Sequence, residues 1–252
     1  DRAGGRVTRE SALPGLGAWA RVRDHRLQLM NQLPNLELFL SSPMTAADVV
    51  EFGAPVVVIA TGARWRHDGV GRHHRLPVDG FDSESVLTPD AFMETSPPAV
   101  TGPVVVFDDD GYYMAAVLAE RIAGDGHDVT LVTTSTVAAA WTASTDELHR
   151  TNARLIELGV SVTPNHAVSG YDGRTATIEC VFTGRRRRIE AASLLTVTAR
   201  TPDDALYHEL TECESEGIRT LARIGDCVAP ALIAHAVYSG HRFARRLDAQ
   251  GS

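Results

Sequence analysis

The sequence predicts an α/β protein made of two interleaved units, and three observations carry that prediction. Two apolar runs, PVVVIATG at 55–62 and PVVVFDDD at 103–110, have the length of buried strands and stop in turn residues. Strand-like and helix-like runs alternate over 103–163, the pattern of a parallel sheet with crossover helices. A last strand–turn–helix stretch, ARIGDCVAPALIAHAVYSG at 222–240, comes more than 160 residues after Gly62 and pairs best with the first run. One α/β unit (98–202) is therefore read as inserted into another (1–97 and 203–252).

Taken in order, residues 1–20 are glycine-rich and aperiodic, which predicts a loop with a turn at Pro14-Gly15. A helix is expected over 19–33 and a short strand, NLELFL, over 35–40. Thr45, with Asp48 three positions on, caps a helix over 46–52. The run at 55–62 is a strand. Residues 64–102 read mostly as loop, with Pro97-Pro98 as a linker. In the second unit, strands are expected at 104–107, 128–133 and 160–163. Helices are expected at 112–123 and 145–158, the latter stopped by Gly159. A meander over 166–190 and a strand over 193–198 close the unit. Pro230 suits the first position of a final helix, and Ile233, Val237, Gly240, Ala244 and Leu247 recur at helical spacing along it.

Composition narrows the function. With 44% hydrophobic residues the 252-residue chain can build a sizeable core, and a net charge of −8 argues against nucleic acid. The run GRRRRI at 184–189 lies between two strand-like runs and reads as a solvated hairpin. Cys180, Cys213 and Cys227 have no metal-ligand or disulfide spacing, which predicts a reduced, cytoplasmic protein. No apolar run reaches membrane-spanning length. His67, His73 and His74 share a loop without the spacing of a metal-binding pair, and His127 reads as a surface turn residue.

Two turns carry candidate ligand chemistry. Asp226, on a turn before a helix, can accept hydrogen bonds from sugar or ribityl hydroxyls, and the helix start favours phosphate. The alternative is a plain capping turn. The first strand ends in Ala60-Thr61-Gly62, where the backbone can approach a ligand. In order and spacing, ATG and GD resemble the flavoproteins with two dinucleotide-binding domains, the glutathione-reductase-like superfamily.

Longer stretches are similar to a narrower family. They are GGRVTRESALPGLGAW (4–19), VVVIATGARW (56–65), LTPDAF (87–92), VVVFDDDGYYMAAVLAERIAGDGHDVTLVT (104–133) and RIGDCVAPALIAHAVYSGHRFAR (223–245). Together they resemble the C-terminal half of the trimethylamine dehydrogenase, histamine dehydrogenase and 2,4-dienoyl-CoA reductase family, whose members are Old Yellow Enzyme-like with an iron–sulfur cluster. The resemblance implies two Rossmann-like domains here. It also implies an FMN-bearing barrel and a 4Fe–4S cluster outside this chain, and ADP or FAD as the nucleotide bound within it. The cofactor-binding residues it implies are Asp1, Gly5, Arg6, Thr61, Gly62, Ala63, Gly225 and Asp226, with no catalytic or metal-binding residue. Asp1 sits where an acid would hold the adenosine ribose, or is simply a terminus. Arg6 faces phosphate, or is solvated.

Two departures stand out. The first unit's G-x-G-x-x-G fingerprint is expected before residue 1, which makes that unit incomplete at its N-terminus. In the second unit, Asp108, Asp110 and Tyr113 take the three glycine positions that a dinucleotide requires. Two carboxylates about 4 Å apart repel by about 4 kcal/mol at an intermediate dielectric. That turn is expected to reject NAD(P)H, with its aspartates capping the following helix. The predicted function is the nucleotide-binding portion of an FMN and iron–sulfur oxidoreductase. Its partners would be the barrel or an electron carrier, and a homo-oligomer is compatible with it. The alternative is a docking module without cofactor.

Overall fold

The computed structural model describes residues 2–94, 96–213 and 217–250. In chain order the elements are α1 (Gly5–Glu10), α2 (Ala20–Met30), α3 (Ala46–Phe52), β1 (Val56–Ile59), β2 (Ala63–Trp65), β3 (Val86–Leu87) and α4 (Pro89–Phe92). Then follow β4 (Val104–Asp108), α5 (Tyr113–Gly124), β5 (Val129–Thr133), α6 (Leu148–Glu157) and β6 (Ser161–Thr163). The antiparallel β7 (His166–Tyr171), β8 (Thr175–Cys180) and β9 (Arg186–Glu190) come next. Last are β10 (Ser193–Val197), β11 (Arg200–Pro202), α7 (Ala205–Glu212), β12 (Thr220–Arg223) and α8 (Ile233–Gln250).

Two compact units divide the chain. The first contains residues 1–8, 19–64 and 200–252, and the second contains 9–18 and 65–199. The second thus takes in residues 65–97, which the sequence reading placed in the first. The reason is packing. Val78, Phe81 and Val86 join one core with Val105, Phe107, Val168, Ile178 and Leu194, and Phe81 meets Phe107 edge-on at 6.4 Å. Burying each such side chain contributes roughly 1.5–3 kcal/mol, which offsets the roughly 1–2 kcal/mol of backbone ordering at that residue.

The second unit is organised by an all-parallel sheet in the order β3-β10-β4-β5-β6. All five residues of β4 and of β10 are buried, as central parallel strands covered on both faces should be. In the antiparallel sheet β7-β8-β9, the edge strand β9 carries exposed Arg186, Arg187 and Arg188. Charge on an edge strand discourages pairing with a further chain. Arg186 pairs with Glu179 at 2.5 Å, and Arg188 pairs with Asp172. The basic run is the solvated hairpin that the sequence predicts.

In the first unit, β1 and β12 pair in parallel, with Ile59 opposite Arg223. A small core of Ala46, Val49, Ile59, Leu210 and Cys227 packs around them. Helix α3 starts in the expected capping box. The Thr45 side chain accepts from the Asp48 N–H at 3.3 Å, and the Asp48 carboxylate accepts from the Thr45 N–H at 2.7 Å. Hydrogen bonds donated to the Asp48 carboxylate by the Thr45 N–H and by the Thr45 hydroxyl hold that carboxyl below its usual pKa.

Several expectations are revised. Residues 35–40 form no strand, and Leu36, Leu38, Phe39 and Leu40 are exposed. β-propensity needs a neighbouring strand to become a strand, and among the described residues β1 pairs only with β12. Helix α6 starts at Leu148, because residues 140–145 wind into a 3₁₀ turn first. Helix α8 starts at Ile233, three residues after Pro230, for a reason that lies in Asp226. No helix among the described residues is long and apolar enough to cross a membrane.

Candidate functional site

The parallel pairing of β1 and β12 puts their carboxyl ends side by side. Ile224 N–H donates to the Ile59 carbonyl at 3.0 Å, and the Cys227 thiol donates to the same carbonyl at 3.2 Å. Thr61-Gly62 and Gly225-Asp226, far apart in sequence, therefore follow neighbouring strand ends. That edge is where open α/β sheets bind ligands. Gly62 and Gly225 both have left-handed backbones, at φ +89° and +69°, which glycine adopts without a Cβ penalty. Nothing lies within 4 Å of where a Gly62 Cβ would stand, so its backbone is open to close approach. The Thr61 hydroxyl donates to the Asp203 carbonyl, and Asp203 N–H donates to the Gly62 carbonyl at 2.9 Å. These bonds lock the turn into β2, which begins at Ala63 and pairs with β11.

Asp226 is the hub of this edge. The sequence reading made it an acceptor for ligand hydroxyls, but both of its oxygens are engaged by protein donors. Oδ1 accepts from Ala231 N–H at 3.1 Å. Oδ2 accepts from Arg200 at 2.9 Å and forms an ion pair with Arg6 at 3.1 Å. Each arginine also donates through its other terminal nitrogen to the Ala231 carbonyl, at 3.2 Å and 3.1 Å. The three charged side chains are only 13–15% exposed, so solvent screens the pairs weakly. The bond from Ala231 N–H folds residues 226–231 into a closed turn, and this delays the start of α8 past Pro230.

Arg6 extends from α1, whose first residue, Gly5, is exposed. Asp1 lies outside the described residues. The structure thus brings Arg6, Thr61, Gly62, Gly225 and Asp226 onto one unit, with Ala63 one step along β2. Arg200 is the residue that sequence reasoning missed. It lies in TARTP, where no motif marks it, and only the β2–β11 pairing brings it near Asp226.

The β4–α5 turn of the second unit is built differently. Asp108 is fully buried. Its Oδ1 accepts from Gly111 N–H at 2.8 Å and its Oδ2 from the Thr133 hydroxyl at 3.2 Å. Burial pushes its pKa up to about 7, with smaller upward pushes from Asp110 and Asp109 partly offset by those two hydrogen bonds. Asp109 accepts from His73 N–H at 2.8 Å and from the Thr134 hydroxyl at 3.3 Å. No side-chain hydrogen bond caps α5. Asp108 and Asp109 therefore brace loops rather than cap the helix as expected.

Tyr113, at the third glycine position, donates to buried Glu10 at 2.9 Å. Trp141 N–H donates to the Gly111 carbonyl at 2.9 Å, its ring carbon would stand 2.8 Å from a Gly111 Cβ, and Arg72 stacks on it at 5.0 Å. His74 donates from Nε2 to the Val168 carbonyl at 2.8 Å and meets Phe107 at 5.9 Å, a satisfied packing role. Among the described residues no group of three or more His, Cys, Asp or Glu could hold a metal ion.

The space over the turn is thus filled by Trp141 and Arg72 and lined by carboxylates. Titration with NADH or NADPH is expected to give no saturable heat or fluorescence change. Binding tighter than about 100 μM, roughly −5.5 kcal/mol, that shifts the Asp109–Gly111 amides would contradict this.

Comparison with known proteins shows what the chain is similar to. Residues 87–203 match the OYE-like second alpha/beta domain. The similar proteins include two amine dehydrogenases and an amine oxidase. Dimethylamine dehydrogenase of Hyphomicrobium sp. (strain x) is 34% identical over 278 residues, covering 98% of this chain and 37% of that protein. Histamine dehydrogenase from Rhizobium sp. 4-9 matches with a TM-score of 0.94 and 42% identity, over 98% of this chain and 39% of that one. A 6-hydroxypseudooxynicotine amine oxidase from Pseudomonas geniculata N1 matches with a TM-score of 0.91 and 38% identity, over 95% and 36%. The chain therefore spans less than two-fifths of the length of these relatives.

Proposed function

We propose that this chain is the nucleotide-binding portion of an oxidoreductase of the amine-dehydrogenase or enoate-reductase type. Its two units are read as interleaved Rossmann-like domains of the glutathione-reductase type. The first holds the adenosine diphosphate moiety of ADP or FAD. The second, with its aspartate-filled turn, is a degenerate NAD-binding domain. The observation that carries this reading is the shared carboxyl edge of β1 and β12, where Thr61-Gly62 meets Gly225-Asp226.

The residues present fit such a ligand in part. Gly62 offers open backbone and Arg6 offers a guanidinium suited to phosphate. Asp226 supports the site by holding Arg6 rather than by meeting the ligand alone. ADP would be a structural ligand, and FAD would add electron transfer. Substrate chemistry would belong to an FMN barrel and a 4Fe–4S cluster, which the family resemblance implies outside this chain. The chain would work against that barrel, or against an electron carrier.

Calorimetric titration tests the reading. The first unit lacks a G-x-G-x-x-G loop within this sequence, so affinity should be modest. A dissociation constant for ADP of roughly 0.1 mM, about −5.5 kcal/mol, is expected. No saturation by about 10 mM ADP or FAD would refute nucleotide binding. It would favour a cofactor-free docking module, a reading supported by the exposed Phe39 and Phe52, 69% and 74% accessible.

A further inference from the structure

We infer that Arg200 is a positioning residue of the nucleotide site, one that acts through Asp226 and the Ala231 carbonyl. The inference rests on the nucleotide reading above and concerns how that site is held in shape.

Arg6 and Arg200 make matching contacts. Each guanidinium donates to the Ala231 carbonyl and pairs with Asp226 Oδ2, Arg200 by a hydrogen bond and Arg6 by an ion pair at 3.1 Å. A planar guanidinium fork can bridge two acceptors in a fixed geometry, whereas an ammonium is a point charge. Ala231 is pinned at both of its backbone polar groups, since its N–H donates to Asp226 Oδ1. The other end of the turn is pinned too, because Gly225 N–H donates to the Ser239 hydroxyl at 2.8 Å, a residue of α8. The segment 225–231 and the first two turns of α8 thus form one fastened piece.

Arg200 adds what Arg6 does not. It is the first residue of β11, which pairs with β2. Just past β11, Asp203 N–H donates to the Gly62 carbonyl and the Asp203 carbonyl accepts from Thr61. The Thr61-Gly62 turn and the Gly225-Asp226 turn are therefore tied to the same short strand. Arg200 is the side chain that completes the tie on the Asp226 side. Its role is to set the distance and orientation between the two turns that would flank the nucleotide.

A double-mutant cycle tests this. ADP affinity and melting of the 252-residue protein are measured for wild type, Arg200→Gln, Asp226→Asn and the double variant. Arg200→Gln is expected to weaken ADP binding about tenfold, and in the Asp226→Asn background it should cost less than about twofold more. Arg200→Lys keeps the charge without the fork. Keeping the ion pair with Asp226, it is expected to fold even if the glutamine variant does not, and it should retain most of the affinity loss.

Additive losses would mean that Arg200 acts independently of Asp226, and would overturn the inference. So would full recovery with lysine, or unchanged affinity with only a lowered melting point. In each of those results wild type still binds ADP, so the nucleotide reading survives. If wild type fails to bind ADP by about 10 mM, the nucleotide reading and this inference both fall.

Discussion

Asp226→Ala is expected to lower both the stability of the first unit and its affinity for ADP. The substitution removes two hydrogen bonds, from Arg200 and Ala231 N–H, and the Arg6 ion pair. It also leaves two guanidinium groups, 15% and 13% exposed, beside each other without their shared carboxylate. Removing one partner of a buried ion pair costs about 3–5 kcal/mol, and residual solvent at this site places the loss near the lower end. ADP affinity should fall at least tenfold, because the 225–231 turn is no longer closed. Asp226→Asn keeps the acceptor for Ala231 N–H and should be milder on both counts. Denaturant melts alongside ADP titrations check the pair of outcomes. Intact stability with intact affinity would show that the arginines are held by other means.

Asp108→Asn is expected to stabilise the second unit at alkaline pH and to flatten its pH dependence. The sign follows from linkage. Asp108 titrates near 3.8 when unfolded and at about 7 when folded, so the folded state binds its proton more tightly. Its contribution is fully present below pH 3.8 and is lost as pH rises through about 7, where burial opposes the charge. That interval corresponds to about 4 kcal/mol as an upper limit. Asparagine fits the same partners. Its oxygen can accept from Gly111 N–H, and its amide can donate to the Thr133 hydroxyl. A gain on the order of 2 kcal/mol at pH 8, vanishing near pH 4, is expected from urea unfolding at a series of pH values. Equal destabilisation at both pH values would mean that folding does not raise the Asp108 pKa and that its carboxyl serves through its hydrogen bonds alone.

The elements that the sequence made legible are those whose signal is local. The β4–α5–β5 alternation, the Thr45–Asp48 capping box and the basic hairpin follow from runs, caps and charge within a few residues. Elements that depend on distant partners were not legible. Residues 35–40 have strand composition but no partner strand among the described residues. Residues 65–97 look like loop, yet Phe81 and Val86 sit in the second unit's core. The candidate site shows the same division. Thr61-Gly62 and Gly225-Asp226 were visible as turns at strand ends. Arg200 was not, since its meeting with Asp226 depends on β11 returning beside β2. Reading Asp226 as a ligand-facing turn residue predicts a substitution that spares the fold, and its two arginine partners reverse that expectation.

The central claim is that an adenosine diphosphate group binds at the carboxyl edge of β1 and β12 and nowhere on the second unit. Amide chemical-shift mapping during ADP titration tests it most directly. The account predicts saturable shifts at Arg6, Gly62, Gly225 and Ala231, with Asp109 to Gly111 unmoved. Shifts centred on Asp109 to Gly111, with Gly62 and Gly225 silent, would contradict it.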